Sequence, residues 1–315
     1  MPISQLLFIN GSSLSNSTAV YSNSSMTILA PDGWYSDGSV VRQQVSGMLQ
    51  PAQPCTSCGI PCNEFVQASG VQGVYKMSID TGTLPTDTGA IVIKFFPYSI
   101  PDAIKVVFNG TTYNSVSSQQ FGFLGGVPSG LPIFLGLSSF EEGCPSGSII
   151  GGPFTLDEYV WSGSSFVPTG NTESITVSPT QDRTQPGLIN PGACFIVVPK
   201  ISPSPSIIDI TCYGICQNTQ FDVEVQCPVF LKKFNGSNRR EEAEQVCGLP
   251  TGITYFVCKV NGIYPILELY DLVFIDAYGL NPMPDGYYKT NNLAAPYDTI
   301  KVTNGVIEQI LDSCP

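Results

Sequence analysis

Runs of β-branched, aromatic and aliphatic residues alternate along this chain with clusters of Gly, Pro, Asn and Ser, and that alternation confines it to an all-β fold. The 31 glycines and 26 prolines are the punctuation: Gly supplies positive φ and Pro pre-sets turn geometry. Residues 90–96 read as a strand, 97–102 as a connection and 103–108 as its partner strand, with Asn109-Gly110 a hairpin turn into 111–113. Residues 174–177, 193–198, 207–212 and 221–227 read as further strands, with 199–205 a bend. The last two of these strands alternate polar and apolar residues, the mark of a sheet with one buried face. Helical character is predicted only over residues 239–246, ended by Cys247-Gly248. The expectation is a central antiparallel β-sandwich, jelly-roll-like, over residues 63–228, between two small β modules at 1–62 and 229–315.

The two end modules match each other. Thr18-Ala19-Val20-Tyr21 and Pro31-Asp32-Gly33-Trp34-Tyr35 near one end align without a gap on Asp271-Leu272-Val273-Phe274 and Pro284-Asp285-Gly286-Tyr287-Tyr288 near the other. After a variable stretch, residues 45–49 align with 303–307, and each copy then reaches a cysteine, Cys55 or Cys314. The unit reads as strand, turn, Pro-Asp-Gly corner, aromatic strand, loop and final strand. Pro31 and Pro284 set φ, Gly33 and Gly286 accept a positive one, and Asp32 and Asp285 are expected to cap their own turns rather than to catalyse. Successive residues of a strand point to opposite faces. One ring of each pair, Trp34/Tyr35 and Tyr287/Tyr288, is therefore expected in the module core, and the other against a neighbour or a bound sugar.

The net charge is −12, with 13 Lys and Arg against 25 Asp and Glu. It argues against nucleic-acid partners and anionic membranes, both of which need clustered cations. Charged residues make up 12% against 42% hydrophobic, so part of the apolar surface is expected between subunits. The first ten residues lack a positively charged start and no stretch reaches the roughly 20 apolar residues of a membrane-spanning helix. Synthesis in a cytoplasm without export is the expectation. The chain has no His, which removes His-based nucleophile activation, acid–base catalysis and metal ligation. Catalysis would fall to carboxylates, and the dense pairs Glu141-Glu142 and Asp157-Glu158 are sequence neighbours that do not converge on one substrate.

Eleven cysteines leave at least one unpaired within the chain if the rest form disulfides. Cys55, Cys58 and Cys62 have a spacing that can seed a zinc site, with Cys144, Cys212, Cys216 or Cys314 as a fourth ligand. Without a second knuckle this is the lesser reading, and no cofactor is expected. Disulfides are the rival, suited to a particle released into oxidising surroundings. Cys194, inside an apolar run, reads as a small buried hydrophobe.

The segments Thr18 to Arg42-Gln43 and Pro284 to Val306 resemble a module of virion structural proteins in phages of Bacteroidota hosts, including crAss-like phages. The segment Gly89 to Asp102 is similar to a β-sandwich segment of related fibre-like proteins. The resemblance implies a non-enzymatic virion protein and carries no catalytic residues with it. The expected role is assembly or attachment in the tail, fibre or spike apparatus, with partners being further copies of the chain (a trimer favoured), other virion proteins and host-surface glycan. Capsid decoration, a head fibre or a jelly-roll capsid subunit is the alternative, and a carboxylate-dependent polysaccharide depolymerase a weaker one.

Overall fold

A computed structural model describes residues 6–36, 40–51, 53–54, 59–118, 122–125, 130–136, 149–184, 192–260 and 262–312. The fold is all-β, and among the described residues no helix reaches seven residues. Eight strands carry the central domain: Phe65–Ser69, Gly73–Asp80, Gly89–Phe96, Asp102–Phe108, Thr111–Tyr113, Cys194–Lys200, Ile207–Gly214 and Gln220–Val225. The first pairs with the eighth, the second with the seventh, the third with the sixth and the fourth with the fifth, all antiparallel. The domain is thus one long hairpin rolled up so that successive strand pairs fall in opposite sheets. Counted in chain order, the strands lie 1-8-3-6 in one sheet and 2-7-4-5 in the other, the jelly-roll arrangement of a β-sandwich. Side chains from both sheets, among them Tyr75, Ile79, Ile93, Phe95, Val106, Ile210 and Phe221, meet in one buried cluster.

Residues 103–108 are therefore not the partner strand of 90–96, as the sequence suggested. They belong to the facing sheet and pair with Ile207–Gly214. Pro97 and Pro101 withhold backbone donors and Tyr98 takes a left-handed φ of 49°, so the connection crosses between sheets instead of turning back along one. A long hairpin, Gly151–Trp161 with Phe166–Val177, is inserted between the fifth and sixth strands and joins the free edge of the second in parallel, Tyr159 opposite Tyr75. Ile60–Pro61 joins that edge in the same sense. Between named strands of the described residues, pairing in the sandwich is antiparallel except at this edge.

The predicted helix at 239–246 is also corrected. Arg240 lies in an extended bridge, exchanging both backbone hydrogen bonds with Tyr287 at 3.0 and 2.9 Å, and only a single 3-10 turn, Ala243–Val246, follows. Local helical character is overridden by pairing with a strand distant in the same chain.

Cys62 and Cys227 form a disulfide, Cα atoms 4.9 Å apart, joining the chain just before the first strand to the chain just after the eighth. A sulfur bonded in this way is no thiolate ligand, so the zinc reading loses Cys62; Cys55, Cys58, Cys144 and Cys314 lie outside the described residues. Cys216 and Cys247 are disulfide-bonded as well. Cys194, Cys212 and Cys258 are free and buried. Burial pushes the Cys194 and Cys258 thiols up to about 12, which leaves them as inert hydrophobes.

One buried acid stands out. Asp102 is fully enclosed; its Oδ1 accepts a hydrogen bond from Thr219 Oγ1 at 2.7 Å and its Oδ2 has no partner. Burial raises its pKa well above its ordinary value of 3.8, which favours the neutral acid in the fold.

Candidate functional site: the docking face of a duplicated module

The strands of the first module include Phe8–Ile9, Val20–Tyr21, Gly33–Ser36, Val40–Val45 and Met48–Leu49; those of the second include Ile253–Cys258, Leu272–Phe274, Gly286–Lys289, Thr299–Thr303 and Val306–Leu311. Their registers are the same. Tyr35 lies opposite Arg42 as Tyr288 lies opposite Ile300, and Val45 opposite Met48 as Thr303 opposite Val306. Ala30 N–H donates to Val20 O at 2.9 Å as Met283 N–H does to Val273 O at 2.9 Å, and Leu49 N–H to Thr18 O at 2.8 Å as Ile307 N–H to Asp271 O at 3.0 Å. The duplication also reaches further back than the sequence match. Phe8-Ile9 pairs with Val20-Tyr21 as Phe256-Val257 pairs with Val273-Phe274, behind connecting loops of unequal length.

The Pro-Asp-Gly corner works across the module, not within its own turn. Asp32 accepts hydrogen bonds from the backbone N–H of Ser46 (2.5 Å) and Gly47 (2.9 Å), and Asp285 from Asn304 N–H (2.6 Å). Ser46-Gly47 (φ 51° and 76°) and Asn304-Gly305 (51° and 73°) are left-handed hairpin turns, and the carboxylate clamps each one. The tyrosine two residues after each glycine folds back: the Tyr288 hydroxyl donates to Pro284 O at 2.8 Å, and Tyr35 makes the same bond to Pro31 O. Only Gly286 uses a positive φ, +148°, where a Cβ would meet Arg240 O at 2.8 Å; Gly33 has open space beside it.

The cores differ where the twins' sequences differ. Arg42 and Gln44 are buried in the first module, at the positions of Ile300 and Val302 in the second. The Arg42 guanidinium donates to the carbonyls of Leu14, Ser15, Ser17, Leu49 and Gln50 at 2.5–3.2 Å. Gln44 Oε1 accepts from Val20 N–H at 2.7 Å and its amide donates to Ala30 O at 2.8 Å. Each buried polar group has its partners, as burial requires.

The outer faces differ most. In the second module Leu272, Phe274 and Val306 press onto Ala90, Val92 and Phe195 of the roll in one buried cluster. This explains why residues 90–93 are apolar without alternation: Ile91 and Ile93 face the sandwich core, and Ala90 and Val92 lie beneath the module. Val306 is fully buried. Its counterpart Met48 is 65% exposed, and Leu29 (49%), Met26 (44%) and Val45 (42%) are exposed around it. The face that is seated in one copy is exposed in the other around Met48, while Ala19, the counterpart of Leu272, is buried and Tyr21, the counterpart of Phe274, half-buried.

The four aromatic residues separate accordingly. Tyr288, 1% exposed, packs edge-to-face on Tyr255 with ring centroids 5.6 Å apart, so it belongs to the core and is no contact surface. Tyr35, its counterpart, packs partly buried against the first module's core. Trp34 is 59% exposed and Tyr287 half-buried. The structure places an aromatic beside converging polar groups elsewhere. A cleft of about 230 Å³ beside the strand Gly73–Asp80 is lined by Trp161 and Ile60, both packed on the sandwich core, with Lys76, Ser78, Asp209 and Thr211, and Ser78 Oγ donates to Asp209 Oδ1 at 2.7 Å. Trp161 closes the inserted hairpin, whose first strand escaped notice in the sequence because Asp157-Glu158 masks its alternation. Glu158 is an ion-pair partner: it binds Lys76 and accepts from Thr169 Oγ1 at 3.0 Å, and the Lys76 bond above all lowers its pKa. Glu141 and Glu142 lie outside the described residues.

Among the described residues, no helix is long and apolar enough to cross a membrane, and no three His, Cys, Asp or Glu side chains are grouped to hold a metal ion. No protein-family model matches the chain, nor does any curated protein or solved structure.

Proposed function

We propose that the chain is a non-enzymatic structural protein of a bacteriophage virion, an assembly or attachment subunit of its tail, fibre or spike apparatus. The observation that carries this reading is the twinned module: one copy is seated on the roll through an apolar face, and the other leaves that face exposed around Met48. An unpartnered apolar patch of this kind is what interaction surfaces look like. The resemblance of the modules and of residues 89–102 to phage virion proteins points the same way, and the Cys62–Cys227 bond suits a particle that works in oxidising surroundings. Glu158 supports a non-catalytic reading, because its lowered pKa fits a structural ion pair and not a general acid. Within this role the cleft beside Trp161 is the part suited to a host-surface sugar, which needs an apolar ring with hydrogen-bonding groups beside it.

The jelly-roll strand order favours a second reading, capsid decoration or a capsid subunit, by fold-level analogy alone. One experiment tests both: immunogold labelling of purified particles with antibody to this chain. Gold on the tail or its fibres is expected, gold on the head selects the second reading, and particles without the protein refute both. On a glycan array the expected signal is lost in Trp161→Ala; an array blank for the wild type removes the sugar contact.

A further inference from the structure

We propose that copies of this chain join head to tail: the bare face of the first module, centred on Met48, seats in the groove between roll and second module of the next copy. The proposal deepens the reading of the chain as an assembly subunit and does not depend on where in a virion it would sit.

The second module shows what this face is for. Its register and turn clamp are those of the first, and it has buried Val306 and Phe274 against the roll. The first module keeps the geometry but carries larger, flexible side chains at the equivalent points: Met26 where the second has Gly279, Leu29 where it has Pro282, Met48 where it has Val306. Leu29 reaches over Gly47, where an added Cβ would lie 2.6 Å from its Cδ1. Val45 and Met48 are directly opposed across the hairpin and share its outer side. These are protruding apolar groups on a rigid turn.

The receiving surface is a hollow of about 480 Å³ at the seam of roll and second module, lined by Tyr113, Val197, Pro199, Phe274, Leu280 and Pro282 among others. A second hollow of about 240 Å³ shares Tyr113, Pro199 and Leu280 with it and extends it to Ile201. Small residues make the hollow: Gly279 and Pro282 stand where the first module has Met26 and Leu29. Side chains of the kind displayed on the first module are thus the kind missing at the seam. Leu280 and Ile201 remain 51% and 63% exposed at its rim.

One chain carries both the protruding apolar face and the hollow that lacks such side chains, so a second copy is the occupant, and charge permits it. Each chain carries −12, so two copies repel unless they meet where neither presents charge. No charged side chain lines either hollow, and Met26, Leu29, Val45 and Met48 are neutral. Apolar face against apolar groove is also heterologous: face and groove are different surfaces, so each copy retains one of each for its neighbours.

The test is the mass of the intact chain in sedimentation velocity at about 10 μM. The wild type is expected as an oligomer. Met48→Lys on the face and Leu280→Lys in the groove are each expected to give monomers, because a lysine ammonium would be buried without a partner; Val45→Lys and Ile201→Lys repeat the two tests at independent positions. All four sites are exposed in the single chain, and lysine lessens its negative charge, so neither misfolding nor general repulsion accounts for the loss. Ile263→Lys, at an 84% exposed site outside both surfaces, is expected to leave the oligomer intact. Mixing the Met48→Lys and Leu280→Lys chains restores one good face and one good groove, and is expected to give a dimer and nothing larger. A monomeric wild type, an oligomer that survives the face or groove variants, or a mixture that stays monomeric overturns the proposal. A monomeric wild type that nonetheless appears in purified particles would leave the virion reading standing without this contact.

Discussion

Replacing Asp102 by Asn removes a proton-binding site from the folded chain, and the consequence is set by where that site is buried. With Oδ1 on Thr219, Oδ2 unpartnered and no exposure to water, the carboxyl stays protonated in the fold well above its ordinary value of 3.8. Below that value folded and unfolded chains both hold the proton, and the group does not distinguish them. Above it the unfolded chain releases the proton and the folded chain does not. Stability therefore falls by about 1.4 kcal/mol per pH unit until the folded pKa is reached. Asn keeps the shape of the neutral acid and never titrates. Cys212, the buried thiol nearby, is itself pushed well up and stays neutral through the acid range. Urea unfolding followed by tryptophan fluorescence, with Trp161 reporting on the roll, measures both proteins at pH 4, 5 and 6. The two are expected to be closest in stability at pH 4, with Asp102→Asn gaining on the wild type as the pH rises, by up to about 1.4 kcal/mol per unit. A gap that does not change with pH would mean that the acid ionises normally in the fold, and the account of its burial would fail.

Arg42→Ala leaves five carbonyl contacts without their donor and is expected to destabilise the first module by about 3 kcal/mol or more, seen as faster hydrogen exchange over residues 14–17 and 49–50 with the roll unaffected. Asp285→Ala should cost about 1–2 kcal/mol, and its signature is fast exchange of the Asn304 amide; an amide that remains protected would show that the turn holds without the clamp. Cys62→Ser with Cys227→Ser opens a loop across 165 residues, and the chain-entropy relation gives a loss of about 5 kcal/mol, read as a lower urea midpoint for the roll.

The β class, the central strands and the duplication were legible because each rests on local pattern. Residues 89–96 announced a strand through composition, Asn109-Gly110 a hairpin through turn chemistry, and the repeated Pro-Asp-Gly-aromatic run a repeated unit. What escaped was set by contacts distant in sequence. Nothing local tells that 102–108 sits in the facing sheet, since its pairing partner lies about a hundred residues on, at 207–214. Residues 239–246 have helical composition, and it is Tyr287 that draws Arg240 into an extended bridge. Asp32 looked like the cap of its own turn; its partners, Ser46 and Gly47, become neighbours only when the hairpin closes. The alternation rule correctly divided each aromatic pair into an inner and an outer ring, but Met48 carries no sequence signal of its own and becomes telling only beside buried Val306.

The disulfide that closes the roll also decides how a mechanical load would travel. With Cys62 and Cys227 joined and their Cα atoms 4.9 Å apart, tension between the first module and the second enters and leaves the central domain at one covalent point. The hydrogen bonds between the first and eighth strands, which would otherwise be the first to unzip under such a pull, lie off the line of force. The 164 residues between Cys62 and Cys227, whose sequence separation is 165, hang from that point as an unloaded loop, and the covalent link carries the load.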